Sequence, residues 1–600
     1  MPSRLRSACL AVVIAAAVAV AGESGAGFAP VPGHKPVAPG EHPRLFFRKA
    51  DLPAIRKRAE TPEGKEIVAR LRFALGGGEA MPTSISKLQG DSGGTPGELT
   101  KWPAGSFTMT HGAGFGFLYQ LTGDKKYADL ARQCVELMFA GTRDIDNRYA
   151  WIKPSSSMRG GFALMGVAMA YDFCYEAWDP AFRQKVAKEL VDFEQGTDKK
   201  TRSSRSSFKM YALTPWMGPH SNHYGPQIGG AGITALAVMG DPGVEDMQQY
   251  LDGVHSSTIK LLTEGHGDTA YFQEGLGPGQ ISTDVTFTQF LLAARTAWGR
   301  DYPAAHRSAR WFGLQWPMQI IPRADGPWFL LPNPSGSGYG TDKFTRAGEG
   351  THGPSHGGQF VQSFGLVDDA GKAAMLWSYQ NFVEPKEAQI YRKWLPNGGR
   401  SYDVFEYSHR AITALLHWPI GVTPRNPAEV LPRAVGDMRK GRFIMRNRWQ
   451  DADDIAIAVT TGGRDKVPNL AWGLQDYHKI PRLAEEGTPS FTPAEDGSGV
   501  VVRGSSAIGV DYSKASGADA LVVMIGLSAK VTTLPSGKKS KGVAVQAGST
   551  TYHVLTFSST GTHPDAKAEG DKLVVGGQTV SWTGNALSFK TFAGPPKLVQ

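Results

Sequence analysis

Side chains able to bind an anion or move a proton are densest between Trp216 and Pro226, where Trp216, His220, Asn222, His223 and Tyr224 stand close together. They directly precede Ile228 to Met239, a run of small and apolar residues whose spacing predicts a helix. Polar groups at a helix entrance meet unpaired backbone N–H groups, which favours an anionic ligand. The structural alternative is that Asn222 caps the helix and His223 packs beneath it. A second group, Glu264, His266, Asp268, Tyr271, Glu274 and Gln280, is interspersed with five glycines and reads as a loop between helices. A third contains Tyr339, His352 and His356. The two histidines have metal-ligand spacing only on a helix, and Gly353 and Pro354 oppose one, so they read as loop residues facing a substrate. No metal and no cofactor is expected.

The elements that must position these groups are helix pairs. After Lys49 to Glu60 and Pro62 to Leu75, the pairing recurs at His111 to Gln120 with Lys125 to Ala140, Met158 to Trp178 with Pro180 to Glu194, and Asn222 to Met239 with Val244 to Thr263. Further pairs are Ile281 to Trp298 with Tyr302 to Ile320 and Gln359 to Leu366 with Asp369 to Phe382, before a last helix at Phe405 to Leu416. Short turn signals join the partners, and no strict repeat accompanies them, so an α/α toroid fits better than a repeat array. Beyond Pro424 the pattern changes to short alternating or β-branched runs: Arg442 to Arg446, Asp454 to Thr460, Gly499 to Arg503, Ala520 to Leu527, Val543 to Ala547, Thr551 to Phe557, Lys572 to Val575, Thr579 to Trp582 and Ala586 to Thr591. These predict an antiparallel β-sandwich. The expected order is a signal peptide (1–21), a Pro/Gly-rich leader (22–41), a toroid (42–420) and a β-domain (421–600), with the cleft where the last two meet.

Composition narrows the function classes. At 600 residues, 41% hydrophobic and 20% charged, the chain can bury real cores and exceeds one ordinary domain. Arg4 and Arg6 before the apolar run Ala8 to Ala21 read as an export signal, and no later segment is long and apolar enough to span a membrane. Without Arg4 and Arg6 the formal charge falls from +9 to +7, a modest excess that suits an acidic ligand. The basic clusters Arg202 to Lys209 and Lys538 to Lys541 are short and read as loops. No nucleic-acid motif is present. Cys134 and Cys174 are too few for a disulfide framework and are expected to be bridged or buried, without a catalytic role.

A His-Pro-Arg-Leu entry at His42, the Asn222 and His223 pair before an Ala/Gly helix, a Tyr-Phe-x-Glu-Gly loop at Tyr271, and Arg446 with Trp449 opening a β-domain together resemble the heparinase II/III-like polysaccharide lyases. The resemblance implies an incomplete α/α toroid followed by an antiparallel β-sandwich. It also implies β-elimination on a uronate-containing polysaccharide, which with the export signal makes the expected protein a periplasmic or extracellular enzyme. In that reading Asn222 neutralises the uronate carboxylate and His223 is the base. Trp216, His220, Tyr224, Glu274, Gln280, Tyr339 and His356 would line the substrate. This chain departs from the family pattern twice. No tyrosine follows Glu274 and Gly275, so Tyr271, Tyr224 or Tyr339 would serve as proton donor; the family's β-domain histidines are absent, leaving His352, His356 or His478. Two other classes fit an α/α toroid. A glycoside hydrolase would use a carboxylate pair among Asp268, Glu274 and Asp284. A non-catalytic glycan-binding protein would stack sugars on Trp151, Trp216, Trp316, Trp328 or Trp472, residues that otherwise read as core.

Overall fold

The computed structural model describes residues 27–82, 105–196, 206–272, 274–322, 328–329, 359–385, 400, 407–461, 469–484, 487–527, 534 and 536–596. The expected signal segment and the loop bearing Tyr339, His352 and His356 lie outside them. Among the described residues no helix is long and apolar enough to cross a membrane.

The helical half is a ring of hairpins. Its inner helices are His111–Thr122, Ser157–Cys174, Tyr224–Val238, Leu276–Asp284 with Phe287–Ala293, Gln359–Ser363 and Ser408–His417. Each packs on the next, and the last returns to His111–Thr122 and to Pro62–Ala74, so the ends of the ring meet. Inner helices have neighbours on every side, which explains sequences that are apolar or small all round rather than on one stripe. Every residue of Tyr224–Val238 is buried, as is every residue of Ser157–Cys174 except Arg159. Glycine permits this closeness where those two helices cross: a Cβ on Gly230 would lie 2.4 Å from the Gly161 carbonyl oxygen. The outer partners, such as Lys125–Phe139 and Pro180–Val191, keep one exposed face.

Several expected helices are interrupted. Ile281 to Trp298 breaks at Thr286, whose hydroxyl turns to donate to the Pro226 carbonyl at 2.9 Å, tying the segment to the neighbouring inner helix. Tyr302 to Ile320 breaks at His306, which is extended and bonds the Gly27 carbonyl through Nε2 at 2.8 Å. The glycine-rich stretch expected as a loop up to Gln280 becomes helical after Gly275, which has φ 99°, a conformation glycine holds cheaply. Lys209, placed by sequence in a loop, lies in the first turn of the short helix Phe208–Leu213, capped by the Ser207 hydroxyl. Lys541 likewise falls within a strand, Ser540–Ala547.

The C-terminal half stacks three antiparallel sheets. The first runs in chain order through Ala434–Asp437, Arg442–Arg446, Ile455–Thr460, Asn469–Gly473 and Asp476–Ile480. A six-stranded sheet, from Ser490–Pro493 at one edge to Ser540–Ala547 at the other, packs on it through Phe443, Met445, Ile457, Val510, Val522 and Phe557. These two form the sandwich. A four-stranded sheet from Ala566–Glu569 to Leu587–Phe589 covers the far face of the second, against Leu521, Val523 and Val554. Strands missed in the sequence, such as Ser506–Asp511, carry Ser, Gly and Asp, residues of low strand propensity; burial at every position of this strand outweighs that propensity.

Alternation along Arg442–Arg446 joins the halves. Phe443 and Met445 face the second sheet, so Arg442, Ile444 and Arg446 face the helical ring. Arg446 donates to the carbonyls of Pro317, Met318 and Ile320, and Trp449 Nε1 donates to Pro317 O at 2.6 Å. Next to them, Asp437 accepts the Thr269 N–H at 3.0 Å, in a contact so close that a Cβ on Gly267 would lie 2.0 Å from the carboxylate.

Candidate functional site

The N-terminal ends of the inner helices gather at one end of the ring. Ser408 Oγ donates to the Thr110 carbonyl, Gln227 Nε2 donates to Ser157 Oγ at 3.2 Å, and the Asn222 N–H donates to Glu274 Oε2 at 3.0 Å. Each contact joins the start of one inner helix to the start of another. Helix starts carry partial positive charge and free N–H groups, so their convergence suits an anion.

Asn222 and His223 sit at this end on the turn into Tyr224–Val238. His223, not Asn222, is the residue before the helix, and no side chain caps it. The expected structural role of Asn222 as cap is therefore corrected: the turn places it one position too early. Gln227 holds the approach in place; its side chain accepts the Trp216 N–H at 2.7 Å and donates to the Trp216 and His223 carbonyls at 3.1 and 3.0 Å. Trp216 meets the His223 ring edge-on at 5.6 Å. His223 Nδ1 is buried with no hydrogen-bond partner, and desolvation, reinforced by Arg159, lowers its pKa to about 4. The ring is neutral at pH 7.

Sequence reading missed the other side of this mouth. Arg159, the only residue of its helix that is not buried, has its guanidinium 5.6 Å from the Tyr149 ring centre. Phe162, one turn on, contacts Tyr149, Tyr407 and His409 at 4.9, 5.4 and 5.6 Å. Arg410 is 8% exposed, stacks over Tyr407, and leaves Nε and Nη1 without hydrogen bonds. Burial, with Arg410 adjacent, holds His409 well below the ordinary histidine pKa. Available signals were the lone arginine in the glycine-rich start of the second inner helix and the Ser-His-Arg start of the last.

The other candidates are distributed as follows. His220 is exposed, and its pKa is lowered by partial desolvation and by Lys440. Tyr224 and Tyr271 are 5% and 4% exposed; burial raises both phenol pKa values, opposed by a Ser257 hydrogen bond in one and by the Arg442 guanidinium over the ring, at 5.7 Å, in the other. Glu274 is engaged by Asn222, and Gln280 is buried on the adjoining helix. His266 lies in the core between Phe272 and Phe312. Of the hydrolase candidates, Asp268 is paired with Arg439, Asp284 is buried, and Glu274 accepts the N–H of the Asn222 turn. His478 hydrogen-bonds Ser540 at 2.6 Å on the sheet edge opposite Ala434–Asp437, four strand spacings or about 19 Å from it. Trp151, Trp316 and Trp472 are buried in the core, so the stacking role expected of them is corrected; Trp216 is half-buried, and the Trp328 side chain lies outside the described residues. Among the described residues no cluster of three His, Cys, Asp or Glu side chains could hold a metal ion.

A cavity of about 960 Å³ lies at the opposite end of the ring, between the leader and the C-terminal ends of the inner helices. Its main cations are already used: Arg58 donates to the Leu415 and Trp418 carbonyls and Arg295 to Gly365 O, capping helix ends. Arg48 and Lys372, also on its lining, pair with Glu41 and Asp369.

No family model matches the chain, and no curated protein matches it. Solved structures that align with it include a heparinase III gene product (12% identity, 90% of this chain and 95% of that one, TM-score 0.39) and a heparinase III (9%, 90% and 97%, 0.39). Another is the heparan sulfate lyase HepC from Pedobacter heparinus (9%, 90% and 94%, 0.38). With identities and TM-scores this low, the function must be argued from this chain's own residues.

Proposed function

We propose that this protein is an exported polysaccharide lyase that cleaves a uronate-containing acidic polysaccharide by β-elimination. The observation that carries the reading is Asn222 beside a neutral, half-buried His223 whose Nδ1 is shielded and unpartnered, at the mouth of the ring where helix starts converge near Arg159 and Arg410. The chemistry requires such a place. Breaking the C–H bond next to a carboxylate adds negative charge to a group already charged, so that carboxylate must first be neutralised. Asn222 and a guanidinium supply that neutralisation. His223 takes the proton, a carbon–carbon double bond forms, and the glycosidic C–O bond breaks. The leaving oxygen needs a proton, and Tyr271 beside Arg442 is the proposed donor. An imidazole with its pKa lowered to about 4 is unprotonated and ready, and an anionic substrate alongside raises its basicity toward the working pH.

A second reading, a glycan-binding protein without turnover, is favoured by one observation: the two described tyrosine candidates are both deeply buried. Incubating the mature protein with a panel of uronate polysaccharides and following ultraviolet absorbance separates the readings. Elimination leaves a conjugated unsaturated uronate; hydrolysis leaves only a new reducing end, and binding leaves neither. Appearance of the chromophore supports the lyase, and saturable binding without it supports the second reading.

A further inference from the structure

Outside the ring, where the helices meet the sheets, the helix Arg307–Gln319 borders a cavity of about 500 Å³. Arg307 and Arg310 stand on its rim, one turn apart and exposed, with the buried Trp311 on the other side of Arg307. The Arg307 guanidinium lies 5.6 Å from the Trp311 ring centre, which restricts its orientation. Phe491, on the edge strand of the second sheet, and Met438, exposed at 39%, form part of the opposite wall.

Neither arginine has an ion-pair partner among the described residues, although three carboxylates are close by in the fold. Asp268 is committed to Arg439. Asp437 accepts the Thr269 and Lys440 N–H groups at 3.0 Å each. Asp368 caps the helix Asp369–Ser378 by accepting the Gly371 N–H at 2.8 Å. Two cations at this spacing repel, and although Asp268 and Asp437 attract Arg307 from a distance, no carboxylate among the described residues contacts either guanidinium, which leaves both able to bind an external anion. The seam continues from the groove to the Asn222 turn: Arg439 pairs with Asp268, Lys440 donates to the Glu264 carbonyl, and the next residue, Gly265, packs so closely on the Pro219 carbonyl beside His220 that a Cβ there would lie 2.4 Å from it.

We propose that this groove is a second binding site for an acidic polysaccharide, engaging carboxylate or sulfate groups of a chain whose other part lies at the Asn222 mouth. The identity of the polymer rests on the lyase reading; the groove itself does not. Its ligand is a long polyanionic glycan rather than a single sugar acid, because one bound anion would not span from the groove to His220.

The test is equilibrium binding of the full chain to two uronate oligosaccharides, a tetramer and a chain of about twenty sugars, for the parent protein and the double variant Arg307→Ala, Arg310→Ala. Both side chains are exposed, so the variant should fold, and circular dichroism checks it. The long chain should bind about ten- to a hundredfold more weakly to the variant at low salt, with the difference shrinking as salt is added, while tetramer binding is unchanged. Equal binding of the long chain by the two proteins, or no binding by the parent, overturns the proposal. Polyglutamate of matched charge competing as well as the oligosaccharide overturns the assignment to a glycan. Loss of long-chain binding without any unsaturated product would uphold the groove while refuting the lyase reading.

Discussion

Arg446 should act as the main bolt between ring and sheets. It is fully buried and donates to the Pro317, Met318, Ile320 and Arg448 carbonyls at 3.0, 3.2, 2.9 and 3.0 Å, with Asp454 at 3.4 Å. Arg446→Met roughly preserves volume and apolar contact with Trp449 but leaves the carbonyls without their charged donor. Hydrogen bonds to a charged group contribute about 1.5–3 kcal/mol each and do not add in full, so a loss of about 4 kcal/mol is expected. Asp454 keeps the N–H groups of Gln450 and Asp451 and its contact with Arg448, which limits the damage to the helix side. Arg446→Lys should recover little, since an ammonium cannot reach the spread of acceptors that the planar fork does. Urea unfolding followed by tryptophan fluorescence measures the loss, and calorimetry should show the single parent transition divide as ring and sheets uncouple. A loss below about 1 kcal/mol would refute the reasoning, because it would mean that the buried carbonyls find other donors at no cost.

At the candidate site, Asn222→Ala and His223→Ala are each expected to reduce elimination about 10²- to 10⁴-fold with little change in thermal midpoint, because neither side chain caps the helix; full activity in both would remove the assignment. Tyr271→Phe should cost at least about a hundredfold, and an unimpaired variant would pass the donor role to another tyrosine. Burial lowers the His266 pKa from 6.5 to about 3, so its contribution to stability is complete above pH 6.5 and is lost as pH falls toward 3. His266→Phe should thus gain about 3 kcal/mol relative to the parent between pH 7 and pH 4 in urea titrations; identical pH dependence in the two proteins would contradict this. Cys134 and Cys174 are free and buried, with both thiol pKa values raised by desolvation, so a thiol reagent should label neither before unfolding.

Much of the architecture was legible from local pattern. Helix pairs were visible because Asp179 before Pro180 and Thr61 before Pro62 are start signals that the structure uses, each side chain accepting a first-turn N–H. Strands such as Arg442–Arg446 and Lys572–Val575 matched to the residue because each holds a short apolar run bounded by turn-forming residues, Gly441 and Asn447 in one and Asp571 and Gly576 in the other. The third sheet layer, the strand Ser506–Asp511 and the helix breaks at Thr286 and His306 were not legible, since each depends on a partner distant in sequence: Phe589 packed against Gly509, the Pro226 carbonyl and the Gly27 carbonyl. The same division runs through the candidate site. Asn222, His223 and Trp216 announce themselves by adjacency in the chain. Arg159, His409 and Arg410 join them only because a closed ring brings the starts of its inner helices to one end, and Arg307 and Arg310 become notable only once the nearby carboxylates are seen to be engaged elsewhere. Residue type and local spacing determined which groups could do chemistry; closure of the ring, a long-range packing event, decided which of them share a space.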